Sequence, residues 1–92
     1  MRNNTEVWET KNKEIAYLCK KVLNMTYDDY HYVFLFANCD ESVKKHGKIE
    51  ALDIVINALK ESETPAEALE NVFKSIGIVD LNSRPDIVID TN

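Results

Sequence analysis

Residues 27–39, which read YDDYHYVFLFANC, decide how the rest of this chain is arranged. The stretch holds five aromatic residues, whereas the whole chain has one Trp, four Tyr and three Phe. Read as a helix, it carries one apolar stripe at Tyr27, Tyr30, Phe34 and Ala37 and a second at Tyr32, Leu35, Phe36 and Cys39. A helix that is apolar nearly all round is buried on all sides. The pattern therefore predicts neighbouring helices on both sides, or a second molecule on one of them.

The residues at the start of this stretch favour a helix over a strand. The side chain of Thr26 is suited to accept a hydrogen bond from a first-turn N–H group. Asp28 and Asp29 then lie near the positive end of the helix dipole. The alternative is a strand through residues 30–36, since aromatic and β-branched residues favour strands. A helix is preferred because no convincing second strand lies nearby to pair with it.

Length and composition indicate one globular domain without a membrane span. The chain has 92 residues, of which 45% are hydrophobic and 29% charged, with only two Gly and two Pro. No apolar run approaches the roughly 20 residues that a spanning helix needs, and the N-terminus lacks the layout of a secretory signal. We therefore expect a cytoplasmic protein. The net charge of -5 argues against direct nucleic-acid binding, which needs clustered Lys and Arg.

The predicted fold is all-α, a small antiparallel bundle of about four helices with an irregular C-terminal tail. The helices are expected near residues 5–24, 26–38, 41–62 and 64–76. Asn24 is a plausible left-handed stop for the first helix. Thr64 and Glu67 form a capping box at the start of the fourth helix, and Gly77 ends that helix.

The segment 38–47 allows two interpretations. In the preferred one, the chain breaks near residues 38–40 and the third helix then runs through Gly47. In the other, the second helix continues to His46 and stops with Gly47 as the residue after its end.

The bundle is expected to cover residues 1–78, and residues 79–92 are expected to pack on it or on a partner. The tail carries an apolar run, Ile87, Val88 and Ile89, between acidic residues. An apolar run of this kind is suited to docking as an extended segment. The predicted core consists of Leu18, Val22, Tyr30, Phe34, Leu52, Ile56, Leu59, Leu69, Phe73 and Ile76.

The residues that could carry chemistry do not form a recognisable motif. His31, His46, Cys19 and Cys39 show no close ligand pair such as C-x-x-C. Asp28 and His31 share a helix face, but no further metal ligand accompanies them. We therefore expect no catalytic residue, no metal site and no cofactor, and a protein that is not an enzyme.

The second half of the chain resembles the closing part of small bacteriocin immunity proteins. The resemblance lies in residues 56–69, INALKESETPAEAL, followed by Val72, Phe73, Ile76 and an irregular tail. It implies an antiparallel four-helix bundle that acts at the inner membrane face and uses its tail in recognition. Members of that group are often basic, whereas this chain is acidic.

The sequence thus predicts a small non-catalytic protein that masks a partner protein, as small phage or mobile-element inhibitors do. The alternatives are a bacteriocin immunity protein and an acidic inhibitor that mimics nucleic acid, and the partner could also be a second copy of the chain. The predicted partner-binding residues are Tyr32, Leu35, Phe36, Ile87, Val88 and Ile89. The competing interpretation is that the first helix, through Ile15 and Leu18, covers the second aromatic face completely.

Overall fold

The chain is all-helical over residues 4–77, which are the residues that its computed structural model describes. The α-helices of this part are α1 (Asn4–Tyr17), α2 (Tyr27–Asn38), α3 (Asp40–His46), α4 (Lys48–Lys60) and α5 (Pro65–Ile76). A π-helical segment, Leu18–Val22, continues α1. Helix α4 packs against each of the other four α-helices and forms the centre of the fold. None of the described helices is long and apolar enough to cross a membrane. The predicted tail, residues 79–92, lies outside the described residues.

The aromatic segment forms a helix, as predicted. Helix α2 begins after Thr26, whose Oγ1 accepts a hydrogen bond from the Asp29 N–H group at 3.2 Å. It ends at Cys39, where the backbone is extended, with φ -73° and ψ 161°. The predicted break near residues 38–40 is therefore confirmed.

The preferred continuation of the third helix through Gly47 is wrong. Helix α3 ends at His46 and α4 begins at Lys48, so the predicted helix 41–62 is in fact two helices. Gly47 has φ 100° and ψ 153°, a backbone conformation essentially restricted to glycine. The turn leaves α3 with its end against α5: His46 Nε2 donates to the Ile76 carbonyl at 2.7 Å, and Lys45 Nζ donates to the Gly77 carbonyl at 2.7 Å.

The end of the first helix differs from the prediction in its winding. Asn24 has φ 58° and stops the helix as expected. Before it, however, the backbone widens into the π-helical segment, in which Leu23 N–H bonds to the Leu18 carbonyl at 2.8 Å. The extra residue per turn shifts the helix face. Val22, predicted as core, is therefore 58% exposed, while Leu23 and Met25 are buried.

Helix α5 begins and ends where the sequence indicates. Thr64 Oγ1 accepts from the Glu67 N–H group at 3.1 Å. Glu67 Oε1 completes the cap differently from a capping box, because it accepts from the Glu63 N–H group, at 2.8 Å, and not from that of Thr64. Gly77 takes a left-handed conformation with φ 64°. Its N–H group bonds to the Phe73 carbonyl at 3.1 Å.

The core lies between α4 and its neighbours. Of the predicted core residues, Leu18, Leu52, Ile56, Leu59 and Ile76 are buried, while Tyr30, Phe34 and Leu69 are half-buried. Phe73, also predicted as core, is 37% exposed. The buried stripe of α2 consists of Val33, Phe36 and Ala37, and so takes residues from both predicted stripes and from between them. The reason is that α2 packs on α4 and α5 together, and this double contact sets the side that is buried.

Candidate partner-binding surface

A group of large apolar side chains is exposed where α2 packs against α5. Tyr32 and Leu35 of α2 are 38% and 43% exposed, and Phe73 of α5 is 37% exposed. The side chain of Phe36 links them from beneath and is only 7% exposed. We call Tyr32, Leu35, Phe36 and Phe73 the aromatic patch.

Ring contacts hold the patch together. The rings of Tyr32 and Phe36 are stacked, with centroids 6.4 Å apart and an interplanar angle of 25°. The rings of Phe36 and Phe73 meet edge to face, with centroids 5.7 Å apart and an angle of 68°. Both geometries are favourable for aromatic pairs. The ring contacts join Tyr32, Phe36 and Phe73, and Leu35 lines a common pocket with Tyr32. These side chains are therefore not scattered apolar residues of the kind that every protein surface shows.

A shallow surface pocket adjoins the patch along α2. It has a volume of about 300 Å³ and is lined by Asp28, His31, Tyr32 and Leu35. These positions follow the spacing i, i+3, i+4 and i+7, which places them on one helix face. We call it the α2 pocket, and it shares Tyr32 and Leu35 with the aromatic patch.

The side chains of Asp28 and His31 in the α2 pocket differ in their surroundings. His31 stacks on Tyr27, with ring centroids 6.1 Å apart and an angle of 17°. The carboxylate of Asp28 forms no ion pair within the part of the chain that the structure describes. The pocket therefore has a negatively charged end, a planar imidazole wall and an apolar end.

Polar contacts at the C-terminal end of α2 hold this helix in place. Ser42 is fully buried, and its Oγ donates to the Phe36 carbonyl at 2.5 Å. Asn38 Oδ1 accepts from the Trp8 indole Nε1 at 3.0 Å, and Asn38 Nδ2 donates to Asn12 Oδ1 at 3.1 Å. Buried and half-buried polar groups that are paired in this way add specificity as well as stability. The aromatic patch thus rests on a helix tied to α1 and to the start of α3.

The cysteines and histidines occupy separate structural positions. Cys19 is fully buried, and burial raises the pKa of its thiol to about 12. Cys39 is half-buried, with its Sγ 3.3 Å from Ser42 Oγ. His46 bonds to α5, as described above, while His31 lies on the outer face of α2. Within residues 4–77, no cluster of three or more His, Cys, Asp or Glu side chains could hold a metal ion.

The structure separates the six predicted partner-binding residues into three groups. Tyr32 and Leu35 are exposed, whereas Phe36 is buried beneath them. The others, Ile87, Val88 and Ile89, lie outside the described residues. The sequence analysis missed Phe73 as a surface residue. The spacing did not reveal this, because Leu69, Val72, Phe73 and Ile76 also share a helix face. The packing of α5 instead buries Ala68, Val72 and Ile76.

Comparisons of the chain with protein-family models, with curated proteins and with solved structures found no match.

Proposed function

We propose that this protein works by binding another protein through the aromatic patch, without catalysing a reaction, and so masks a surface of that partner. The observation that carries the proposal is the exposure of Tyr32 and Leu35 on α2 and of Phe73 on α5, with the Phe36 ring in contact with the rings of both Tyr32 and Phe73. Tyr and Phe are enriched in protein interfaces because they bury a large area and lose little conformational entropy.

The support is stronger for the aromatic patch than for the exposed residues Tyr17 and Val22. Tyr17 and Val22, at the end of α1, are 60% and 58% exposed. Among residues 5–77, the ring of Tyr17 makes no contact with another aromatic ring, and Val22 has no ring. Tyr17 therefore serves as a matched control, since it is an exposed tyrosine at the end of α1 that makes no ring contact with the patch.

The test compares partner capture by variants of the full chain. Wild type, Tyr32→Glu, Leu35→Glu and Tyr17→Glu are immobilised separately and exposed to a lysate of the cells from which the chain originates. We expect one protein to be retained by wild type and by Tyr17→Glu, and to be lost from both patch variants. Circular dichroism of each variant beforehand shows whether the fold is intact.

Two results would contradict the proposal. Retention by both patch variants at the wild-type level would mean that the patch is not the binding surface. Equal loss in Tyr17→Glu would mean that added negative charge, and not the patch, weakens the interaction. The salt dependence of capture distinguishes the proposal from the alternative of an acidic inhibitor that mimics nucleic acid. Binding that weakens steeply with added salt would point to that alternative.

A further inference from the structure

We infer that the α2 pocket receives an arginine side chain of the partner protein, an inference that rests on the proposed function. The lining of the pocket changes from charged at one end to apolar at the other. Asp28 lies in the first turn of α2 and Leu35 seven residues later, which is about 10 Å along the helix axis. Tyr32 lies between them. A pocket with a carboxylate at one end and an apolar side chain at the other fits a long side chain with an apolar stem and a cationic head.

The charge of the pocket selects a cationic occupant. Asp28 is exposed and forms no ion pair with the described residues, and neither does the neighbouring Asp29. The Lys side chains that form ion pairs in this part of the chain have their partners elsewhere: Lys11 with Asp53, Lys60 with Glu14 and Lys74 with Glu70. No Lys side chain of the described residues pairs with Asp28, and the negative end of the pocket suits a positive charge supplied by another molecule.

An acid in the first turn of a helix also stabilises that helix by itself, through the helix dipole. Asp29 occupies the same turn and supplies the same effect, but it does not line the pocket. The dipole therefore accounts for an acidic residue near the start of α2. It does not account for the aromatic and apolar side chains that continue from Asp28 along the same face.

The planar walls of the pocket favour arginine over lysine. A guanidinium group is planar, stacks on aromatic faces and pairs with a carboxylate through two parallel hydrogen bonds. Tyr32 supplies an aromatic face, and the His31 imidazole is held nearly parallel to the Tyr27 ring, at 17°. The stem of the arginine would lie on Leu35, next to the aromatic patch that holds the rest of the partner.

The test uses small probes that differ only in charge. N-acetyl-arginine N-methylamide is titrated into the isotope-labelled full chain, and amide shifts are followed by NMR. The citrulline analogue is the control, since it has nearly the same shape and no charge. We expect the arginine probe to bind with a dissociation constant on the order of 1 mM, typical of so small a ligand. Its shifts should be confined to the α2 pocket, and citrulline should bind at least about fivefold more weakly because it lacks the ion pair.

Two variants complete the test. Asp28→Asn should abolish the difference between the arginine and citrulline probes. Asp40→Asn, which removes an exposed acid from the first turn of α3 and leaves the pocket unchanged, should preserve it. Equal binding of the two probes, shifts scattered over the surface, or an equal effect of Asp40→Asn would each overturn the inference.

The inference and the proposed function can fail separately. If the arginine probe does not bind the pocket while Tyr32→Glu still loses the captured protein, the aromatic patch is a binding surface and its occupant is not an arginine. If the probe binds as expected while both patch variants retain the captured protein, the inferred pocket is real and the proposed function is wrong.

Discussion

The rings of Phe36 and Phe73 meet edge to face with their centroids 5.7 Å apart, although the two residues are 37 positions apart in the chain and differ in exposure. Phe36 is 7% exposed and Phe73 37% exposed. One ring of the pair therefore belongs to the core and the other to the surface. This contact is what joins the aromatic patch to the interior of the domain.

The two ends of the Tyr32–Phe36 pair should respond differently to a negative charge. Phe36→Glu places a carboxylate in a buried position without a partner, and we expect a loss of at least about 3 kcal/mol in the free energy of unfolding. Tyr32→Glu, at a position 38% exposed, should cost less than about 1.5 kcal/mol. Urea unfolding followed by circular dichroism measures both values. Similar large losses in the two variants would show that Tyr32 is part of the core.

Leu59 and Phe73, which the sequence assigned to the same core, should differ in their contribution to stability. Leu59 is 1% exposed, so Leu59→Ala should cost about 2–5 kcal/mol. Phe73→Ala should cost less, about 1–2 kcal/mol, because more than a third of that side chain is already in contact with water. Thermal and urea unfolding of the two variants test the order. A larger loss in Phe73→Ala would contradict the exposure seen here.

The side chain of Asn38 should stabilise the contact of α1 with α2. Asn38→Ala removes the acceptor of the Trp8 indole N–H group and the donor to Asn12, and should cost about 1–3 kcal/mol. Asn57→Ala is the matched control, since Asn57 is exposed and no side-chain hydrogen bond of it is seen in the described part of the chain. It should change the free energy of unfolding by less than about 1 kcal/mol, through helix propensity alone. Trp8 is the single tryptophan, so its fluorescence should also shift only in the Asn38 variant.

Gly47 should be less replaceable than Gly77. An added Cβ at Gly47 would come no closer than 3.7 Å to Glu50, so contact with neighbours does not forbid a side chain there. The backbone conformation of Gly47, with φ 100° and ψ 153°, is what disfavours a side chain at this position. Gly47→Ala should therefore cost about 1–3 kcal/mol. Gly77→Asn should cost less, because asparagine tolerates the left-handed conformation at Gly77. Chemical denaturation of both variants gives the comparison, and an unchanged Gly47→Ala protein would refute the argument.

Cys19 should resist thiol reagents in the folded protein. With a pKa of about 12, roughly one thiol in ten thousand is ionised at pH 8, and the thiolate is the reactive form. Cys39, which is half-buried, should react first with dithiobis-nitrobenzoate, and Cys19 only upon unfolding. Cys19→Ala and Cys39→Ala assign the two rates. Rapid loss of the Cys19 thiol at pH 8 in the native protein would contradict its burial.

The same raised pKa should make the folded protein less stable as the pH rises above about 9. In the unfolded chain the pKa of the Cys19 thiol has its ordinary value of 9.0. Above that pH the unfolded state therefore loses a proton that the folded state keeps. The free energy of unfolding should therefore fall as the pH rises from about 9 to about 12, because over this range the unfolded state releases the thiol proton and the folded state retains it. The Cys19→Ala variant should show a shallower fall over the same range.

The helix ends at Asn24, Thr26, Thr64 and Gly77 could be predicted from the sequence because capping chemistry is local, whereas the preferred prediction ran the third helix through the break at Gly47. Thr26 and Thr64 each accept a hydrogen bond from an N–H group three residues later, and Asn24 and Gly77 take the left-handed conformation that stops a helix. Each of these features depends on residues within a few positions of one another. No contact with a distant part of the chain is needed to specify them.

The buried side of each helix was decided by the tertiary structure. Val33 and Phe34 are both apolar neighbours in α2, and a helical period allows either to face inward; packing on α4 and α5 buries Val33 and leaves Phe34 half-buried. In the same way, the π-helical segment turns Val22 outward, since one extra residue per turn changes the face of everything that follows.

The candidate surface combines both kinds of information. The sequence by itself determined an aromatic helix with more apolar faces than one neighbour could cover, and Tyr32 and Leu35 were named from that pattern. Only the tertiary structure brought Phe73 beside Phe36 and left the α2 pocket open, with Asp28 at its end. The physical reason is that helix formation is governed by neighbours in sequence, whereas exposure is governed by which distant helices pack against a face.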